Sequence, residues 1–210
     1  MRGTQVSLMI SFVVGALGTL IGVLIGAAAG FFRGWTEAIL MRFTDIIIVL
    51  PLLAIVAVLA RRVGNSGPFW LAVVIALFTW TGLARIVRGE FLSLREKEFV
   101  EAARAAGTPA WRIIRKHILP NTVGVIVVSA TLSIAGAVLL ETALSFLGFG
   151  VQPPDTSLGR LISDYQNSFG SRSWLFFWPG VFIVLIALTV NFIGDGLRDA
   201  FDPRQNKVRS

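Results

Sequence analysis

Five stretches of this 210-residue chain contain no charged side chain: residues 3–32, 46–60, 63–84, 118–140 and 173–194. A helix that crosses a bilayer needs roughly 20 apolar residues to span about 30 Å of hydrocarbon. Four of the runs are long enough outright. The run 46–60 is short, and Arg42, Phe43, Thr44 and Asp45 extend it when their polar ends snorkel to the headgroups. The pattern predicts an all-α integral membrane protein with five spans, at about 6–31, 43–60, 69–84, 122–140 and 174–193. One or two buried helices of a water-soluble domain do not account for five such runs.

Composition narrows the function. Hydrophobic residues make up 55% of the chain and charged residues 15%, against about a quarter charged in a soluble domain. A disordered chain, a coiled coil and an ordinary cytosolic enzyme are excluded. There is no cysteine, so no disulfide framework or thiolate metal site is available, and the single histidine, His117, argues against a histidine-based metal cluster or a Ser-His catalytic pair. No catalytic residue, metal ligand or cofactor is assigned. The net charge of +7 suits a membrane protein facing a cytoplasm better than a nucleic-acid binder.

The basic residues set the orientation. Arg33, Arg42, the set from Arg85 to Lys116 and the C-terminal Arg198, Arg204, Lys207 and Arg209 share one side, 14 of the 19 Lys and Arg. The positive-inside rule places residues 85–117 and the C-terminus in the cytoplasm. An odd number of spans then leaves Met1 outside. Residues 27–29 resemble an A-x-A signal-peptidase site, but the apolar stretch exceeds the usual 7–15 residues. The expectation is a further N-terminal span in the natural protein, or an internal start.

Residues 97–107 are the most informative polar stretch. Phe99, Ala102, Ala103 and Ala106 recur at the spacing of one helix face, Glu101 and Arg104 are close enough to pair, and Gly107 supplies the left-handed residue that stops a helix. Thr108 is placed to cap a second helix, with Pro109 at its first position and Trp111, Arg112, Arg115 and Lys116 along it. Pro120 opens the next span. The product is a helix–turn–helix at the cytoplasmic surface. An amphipathic helix among lipid headgroups suits the second helix. It suits the first poorly, because alanines and glutamates bind anionic lipid weakly. A docking knob for a soluble partner is the sharper reading.

Glu101-Ala102-Ala103, Gly107 and Leu119-Pro120 together resemble the E-A-A-x₃-G-x₉-I-x-L-P loop of ABC-importer permeases, with His117 at the isoleucine position. Further stretches resemble the dipeptide/oligopeptide/nickel branch, at its second permease subunit, the dipeptide permease C type. These are residues 3–7, 93–96, 115–121, 141–148 with 150–154, 194–199 and 202–204. The resemblance implies a type I (MetI-like) permease bundle forming a single domain over 1–210, a cytoplasmic coupling loop at 85–120 and an extracytoplasmic segment at 141–173. It implies six spans, the first being absent here. It also implies that Glu101, Ala102, Ala103, Arg104 and Gly107 couple to an ATP-hydrolysing subunit, with Arg112 as an electrostatic neighbour. The implied partners are ABC ATPase subunits, a related second permease, an extracytoplasmic substrate-binding protein and membrane lipid, with no nucleic acid.

The chain itself has no G-x-x-x-x-G-K-[ST] phosphate loop. Asp45 and Glu141 are expected at span ends in structural roles, Asp45 capping or pairing with Arg42. Pro51 is expected to kink its span, and Gly15, Gly18, Gly22 and Gly26 to form a packing stripe. Ser129, Thr131 and Ser133 suit a path lining or back-bonding within their helix equally, and Asn191 lies near a cytoplasmic end. Residues 146–150 read as a re-entrant or interfacial piece, and 158–169 as a contact for a substrate-delivering protein or a plain connection. An autonomous channel or secondary carrier is the alternative function, but it calls for midplane charges or an inverted repeat. An intramembrane hydrolase lacks a second aspartate to join Asp195.

Overall fold

The computed structural model describes residues 1–63 and 66–201. Gly64 and Asn65, and the motif Asp202-Pro203-Arg204 with the basic residues after it, lie outside the described residues. Among the described residues ten α-helices follow in order: α1 Arg2–Phe32, α2 Gly34–Val49, α3 Leu52–Val63, α4 Pro68–Thr79, α5 Thr81–Leu94, α6 Glu98–Ala105, α7 Ala110–Ile113, α8 Leu119–Phe146, α9 Leu158–Tyr165 and α10 Ser173–Phe201. No strand occurs among the described residues.

Among the described residues, three helices are long and apolar enough to cross a membrane by themselves: Arg2–Phe32, Ala110–Phe146 and Ser173–Ala200. The interrupted pairs α2 with α3 and α4 with α5 raise the number to five if each is one span, which matches the five charge-free runs. The second span breaks at Leu50-Pro51, because proline disfavours helix at the residue before it and offers no N–H. Its first half begins at Gly34, nine residues before the predicted start, so residues 34–42, which carry Glu37 and Arg42, are helical as well. Large apolar side chains such as Leu20, Leu24, Phe177, Trp178 and Phe192 stand more than half exposed, an arrangement suited to hydrocarbon rather than water.

The chain divides into two compact units. The first comprises residues 1–18, 50–79 and 131–193. Its core is Ile10, Val14, Val56, Leu71, Ile75 and Leu144, with a smaller cluster of Val138, Leu158 and Ile183. The α8 helix ends where Gly148 turns left-handed (φ +83°). There the N–H groups of Gly148 and Phe149 donate back to the carbonyls of Ser145 and Leu144 at 3.0 and 2.8 Å. Residues 146–150 are thus a Schellman cap on α8, not the independent interfacial helix that their apolarity suggested.

The second unit comprises residues 19–49, 80–130 and 194 onward. The glycine stripe of α1 does the packing here that its sequence implied. An added Cβ would lie 3.0 Å from the Trp80 carbonyl oxygen at Gly22, and 2.5 Å from that of Ala84 at Gly26. At Gly30 it would lie 2.6 Å from Phe91 Cβ, so the backbones of α1 and α5 touch along three successive turns. Ion pairs join α2 to α5: Arg85 Nη2 donates to Asp45 Oδ1 at 2.6 Å, and Arg88 binds Glu37. Asp45 therefore pairs with Arg85 and not with Arg42, because the neighbouring helix brings a guanidinium across its face.

Candidate coupling site

The helix–turn–helix lies wholly in the second unit, and its placement starts at the end of α1. Arg33 is left-handed (φ 55°) and ends that helix. The Phe31 carbonyl freed there accepts from Arg95 Nη1 at 2.6 Å, a cation at a helix C-terminus. Burial first, and then the like charge of Arg104, lower the Arg95 pKa from the usual arginine value.

After Arg95 the chain turns and α6 begins at Glu98, with Glu98 and Glu101 in its first turn and Arg104 in its last. Both placements complement the helix dipole. Val100 and Ala103 are the buried side chains of α6. They join Phe31, Leu83, Val87, Phe91, Ile113 and Ile118 in one apolar cluster. The side chains of α6 thus divide differently from the predicted face of Phe99, Ala102, Ala103 and Ala106. Of these four only Ala103 is buried; Phe99, Ala102 and Ala106 are exposed, as are Glu101, Arg104, Gly107 and Arg112. The spacing i, i+3 from Val100 to Ala103 was present in the sequence, but the larger Phe99 drew the face one position back.

The turn is a full Schellman motif. Thr108 N–H donates to the Ala103 carbonyl at 3.0 Å and Gly107 N–H to that of Arg104 at 2.9 Å, with Gly107 at φ +73°. The glycine thus has the role its position implied. Glu101 and Arg104 form no ion pair among the described residues; the Arg104 guanidinium instead lies 5.6 Å from the centre of the Phe31 ring. Thr108 makes no capping bond, and Pro109, with extended backbone, is the N-cap residue of α7 rather than its first helical residue.

The second helix does not stop before the span. A π-helical turn, Ile114–Ile118, carries α7 into α8, making one helix over Ala110–Phe146. Proline at 120 has no N–H and its ring crowds the carbonyl four residues back. The wider turn accommodates it, and Asn121 Nδ2 donates to the His117 carbonyl at 2.6 Å. Trp111 stands 58% exposed on this helix. Phe99, Ala102, Ala106 and Trp111 are thus apolar and uncovered on the hydrophilic helix–turn–helix, while Val100, Ala103, Ile113 and Ile118 anchor the same segment to α1 and α5.

Glu141 also departs from expectation. It lies inside α8, five residues before the helix ends, and is fully buried. Its Oε1 accepts from Ser145 at 2.7 Å and from Ser157 at 2.6 Å, and its Oε2 from Ser7 at 3.2 Å. The charge-free count ended the span at Leu140 because it treats any carboxylate as a boundary. Ser145, one turn on, was the one local sign of an internal partner.

An all-helical protein with several apolar helices and an exposed helix–turn–helix anchored between two of them belongs to the class of polytopic membrane transport subunits. The family model for the inner membrane component of binding-protein-dependent transport systems matches residues 22–207, and the chain belongs to that family, the permease subunits of ABC importers. It is 42% identical over 210 residues to the oligopeptide transport system permease protein OppC of Mycobacterium bovis, covering all of this chain and 72% of that one. It is 44% identical over 206 residues to the putative peptide permease protein BOV_A0350 of Brucella ovis, covering 97% and 68%. Among solved structures it resembles an inward-facing conformation of the MetNI methionine ABC transporter, with a TM-score of 0.78 and 22% identity over 96% of this chain and 95% of that one. That likeness bears out the MetI-like fold.

Proposed function

We propose that this chain is the path-forming membrane subunit of an ATP-driven importer for short peptides, with α6 and its glycine turn as the docking site for a separate ATP-hydrolysing subunit. The observation that carries the docking role is the split of α6 into an anchored stripe, Val100 and Ala103, and an uncovered one, Phe99, Ala102 and Ala106. A segment fixed on one side and free on the other moves as a lever: force applied at Ala102 reaches Phe91 and Phe31 through packed side chains. Glu101, Ala102, Arg104 and Gly107 are the contact and hinge positions. Ala103 is the anchor, and Arg112 an exposed neighbour.

The chain carries no phosphate-binding loop, so hydrolysis falls to the partner and this subunit is not a catalyst. Nucleotide shifts the packing of the spans only through its different affinities for the two states. Peptide is favoured over nickel as cargo by the names of the relatives. The working complex contains a companion permease, two ATPase subunits and an extracytoplasmic binding protein. The excess of basic residues in 85–117 and after residue 197 puts the coupling loop, 85–120, and the C-terminus in the cytoplasm and 141–173 outside.

The test is Gly107→Val, with Glu101→Trp beside it. A β-branched residue in the left-handed region costs about 1–2 kcal/mol or more and re-aims the turn. Both variants should insert in the membrane at normal level, lose the co-purifying ATPase and abolish peptide uptake. Normal uptake in either variant, or unchanged ATPase association, refutes the docking role.

A further inference from the structure

The buried carboxylate of Glu141 takes no part in the coupling site. Among the described residues it has no cationic partner; its three donors are serine hydroxyls drawn from α1, from α8 itself and from the residue before α9. Two of those hydroxyls also serve α9 from the other side. Ser157 Oγ accepts from the Arg160 N–H at 3.0 Å, capping the helix, and Ser7 Oγ accepts from the Leu158 N–H at 3.1 Å. Each hydroxyl gives its proton to the carboxylate and offers a lone pair to the backbone. Two N–H groups of the first turn of α9 are thus wired through Ser7 and Ser157 to one carboxylate.

The backbone is drawn in equally tightly. A Cβ on Gly159 would lie 2.6 Å from Thr142 Cα, and one on Gly3 3.3 Å from the carbonyl carbon of Ser157. Leu158 and Gly159 are buried, while Asp164 and Asn167 are exposed, as are Pro153, Pro154 and Asp155. Arg160 ties the loop down by donating to the Val151 carbonyl at 2.8 Å and pairing with Asp164 at 3.3 Å. A well-packed apolar side chain would stabilise such a site at least as well as a carboxylate. What the carboxylate adds is direction: it fixes where α9 begins and which way it faces.

We propose that Glu141 is a positioning residue, a buried clasp that fixes α9 on α1 and α8 and so presets the surface offered to the extracytoplasmic binding protein. This rests on the reading of 141–173 as extracytoplasmic given above. A preset surface binds without paying to order a loose segment at each encounter. Its removal should therefore act on recognition and leave the motor intact.

The experiment compares the complete reconstituted transporter carrying wild-type chain, Glu141→Ala, Glu141→Gln or Ser7→Ala, titrated with its binding protein. Two quantities are read: the concentration giving half-maximal stimulation of ATP hydrolysis, and amide hydrogen exchange over residues 158–165. Glu141→Ala and Ser7→Ala should lose protection at 158–165 and raise the half-maximal concentration about tenfold, the equivalent of about 1.4 kcal/mol. The maximal rate and ATPase association should stay at the wild-type level. Glu141→Gln keeps an acceptor oxygen and should fall between. Unchanged exchange and half-maximal concentration overturn the clasp, as does a lower maximal rate at unchanged half-maximal concentration, which is the mark of mere structural damage. Should Glu141→Ala not assemble, the same two readouts on Ser7→Ala, which deletes one hydroxyl and keeps the carboxylate, settle the question. A wild-type complex indifferent to binding protein refutes the function proposed above, and the exchange pattern then decides the clasp by itself.

Discussion

Gly26→Leu should prevent the second unit from packing, at a cost of about 3 kcal/mol or more, whereas Gly89→Ala should be neutral or stabilising. Both glycines lie inside helices, Gly26 in the charge-free run of α1 and Gly89 between Arg88 and Glu90 of α5. Their surroundings differ completely. A Cβ at Gly26 would stand 2.5 Å from the Ala84 carbonyl oxygen and 2.8 Å from Val87 Cβ, and Ala84 and Val87 are both fully buried. The clash is with backbone and with a branched core side chain, so no rotamer change relieves it and α1 must move off α5. In a membrane the space between helices is not defended by a hydrophobic driving force, because lipid is as apolar as leucine; close backbone approach is what holds the pair. Moving the helices apart also loosens Phe31 and Phe91, the floor on which α6 rests. At Gly89 nothing lies within 4 Å of the added carbon, and alanine gains about 1 kcal/mol of helix propensity. Thermal stability of the purified protein in detergent, measured on both variants, decides the matter. Equal tolerance at the two sites would mean that α1 and α5 do not approach as described.

Long charge-free runs made the spans legible, since crossing hydrocarbon leaves a signal spread over about 20 residues. Gly107 was legible for the opposite reason: a single left-handed position has a nearly unique residue preference. Features set by neighbours distant in sequence were not. Asp45 had Arg42 three residues away as its visible partner, and the true one, Arg85, lies 40 residues on. Glu141 looked like a span boundary because its compensation comes from Ser7 and Ser157, 134 and 16 residues distant. Pro120 reads as a helix start on local rules, and only the π turn before it shows how the helix passes through. The motifs that carry the coupling resemblance, Glu101 to Pro120, are local and were found; which of their side chains face the core required the fold.

That last distinction yields a prediction on adjacent residues. Ala102→Leu should leave the protein folded and remove the ATPase subunit, while Ala103→Leu should do the reverse. Ala102 is exposed, so extra methyl groups there displace no neighbour; they fill the space into which a partner must bring its own surface. Ala103 is buried against Val100, Phe91, Ile113 and Ile118, where an added isopropyl group overpacks the cluster at about 1–3 kcal/mol. The readouts are separate: melting temperature in detergent for the fold, and ATPase co-purification at low temperature, where both variants remain native, for docking. Ala102→Leu should melt with the wild type and retain less than about a tenth of the bound ATPase, a loss equivalent to about 1.4 kcal/mol. Ala103→Leu should melt lower and, while folded, still bind. If instead Ala103→Leu releases the partner with its stability intact, the face turned toward the motor is the one containing Ala103. The anchored stripe and the free stripe of α6 would then have to be exchanged, and the lever would have no fulcrum at Phe31 and Phe91.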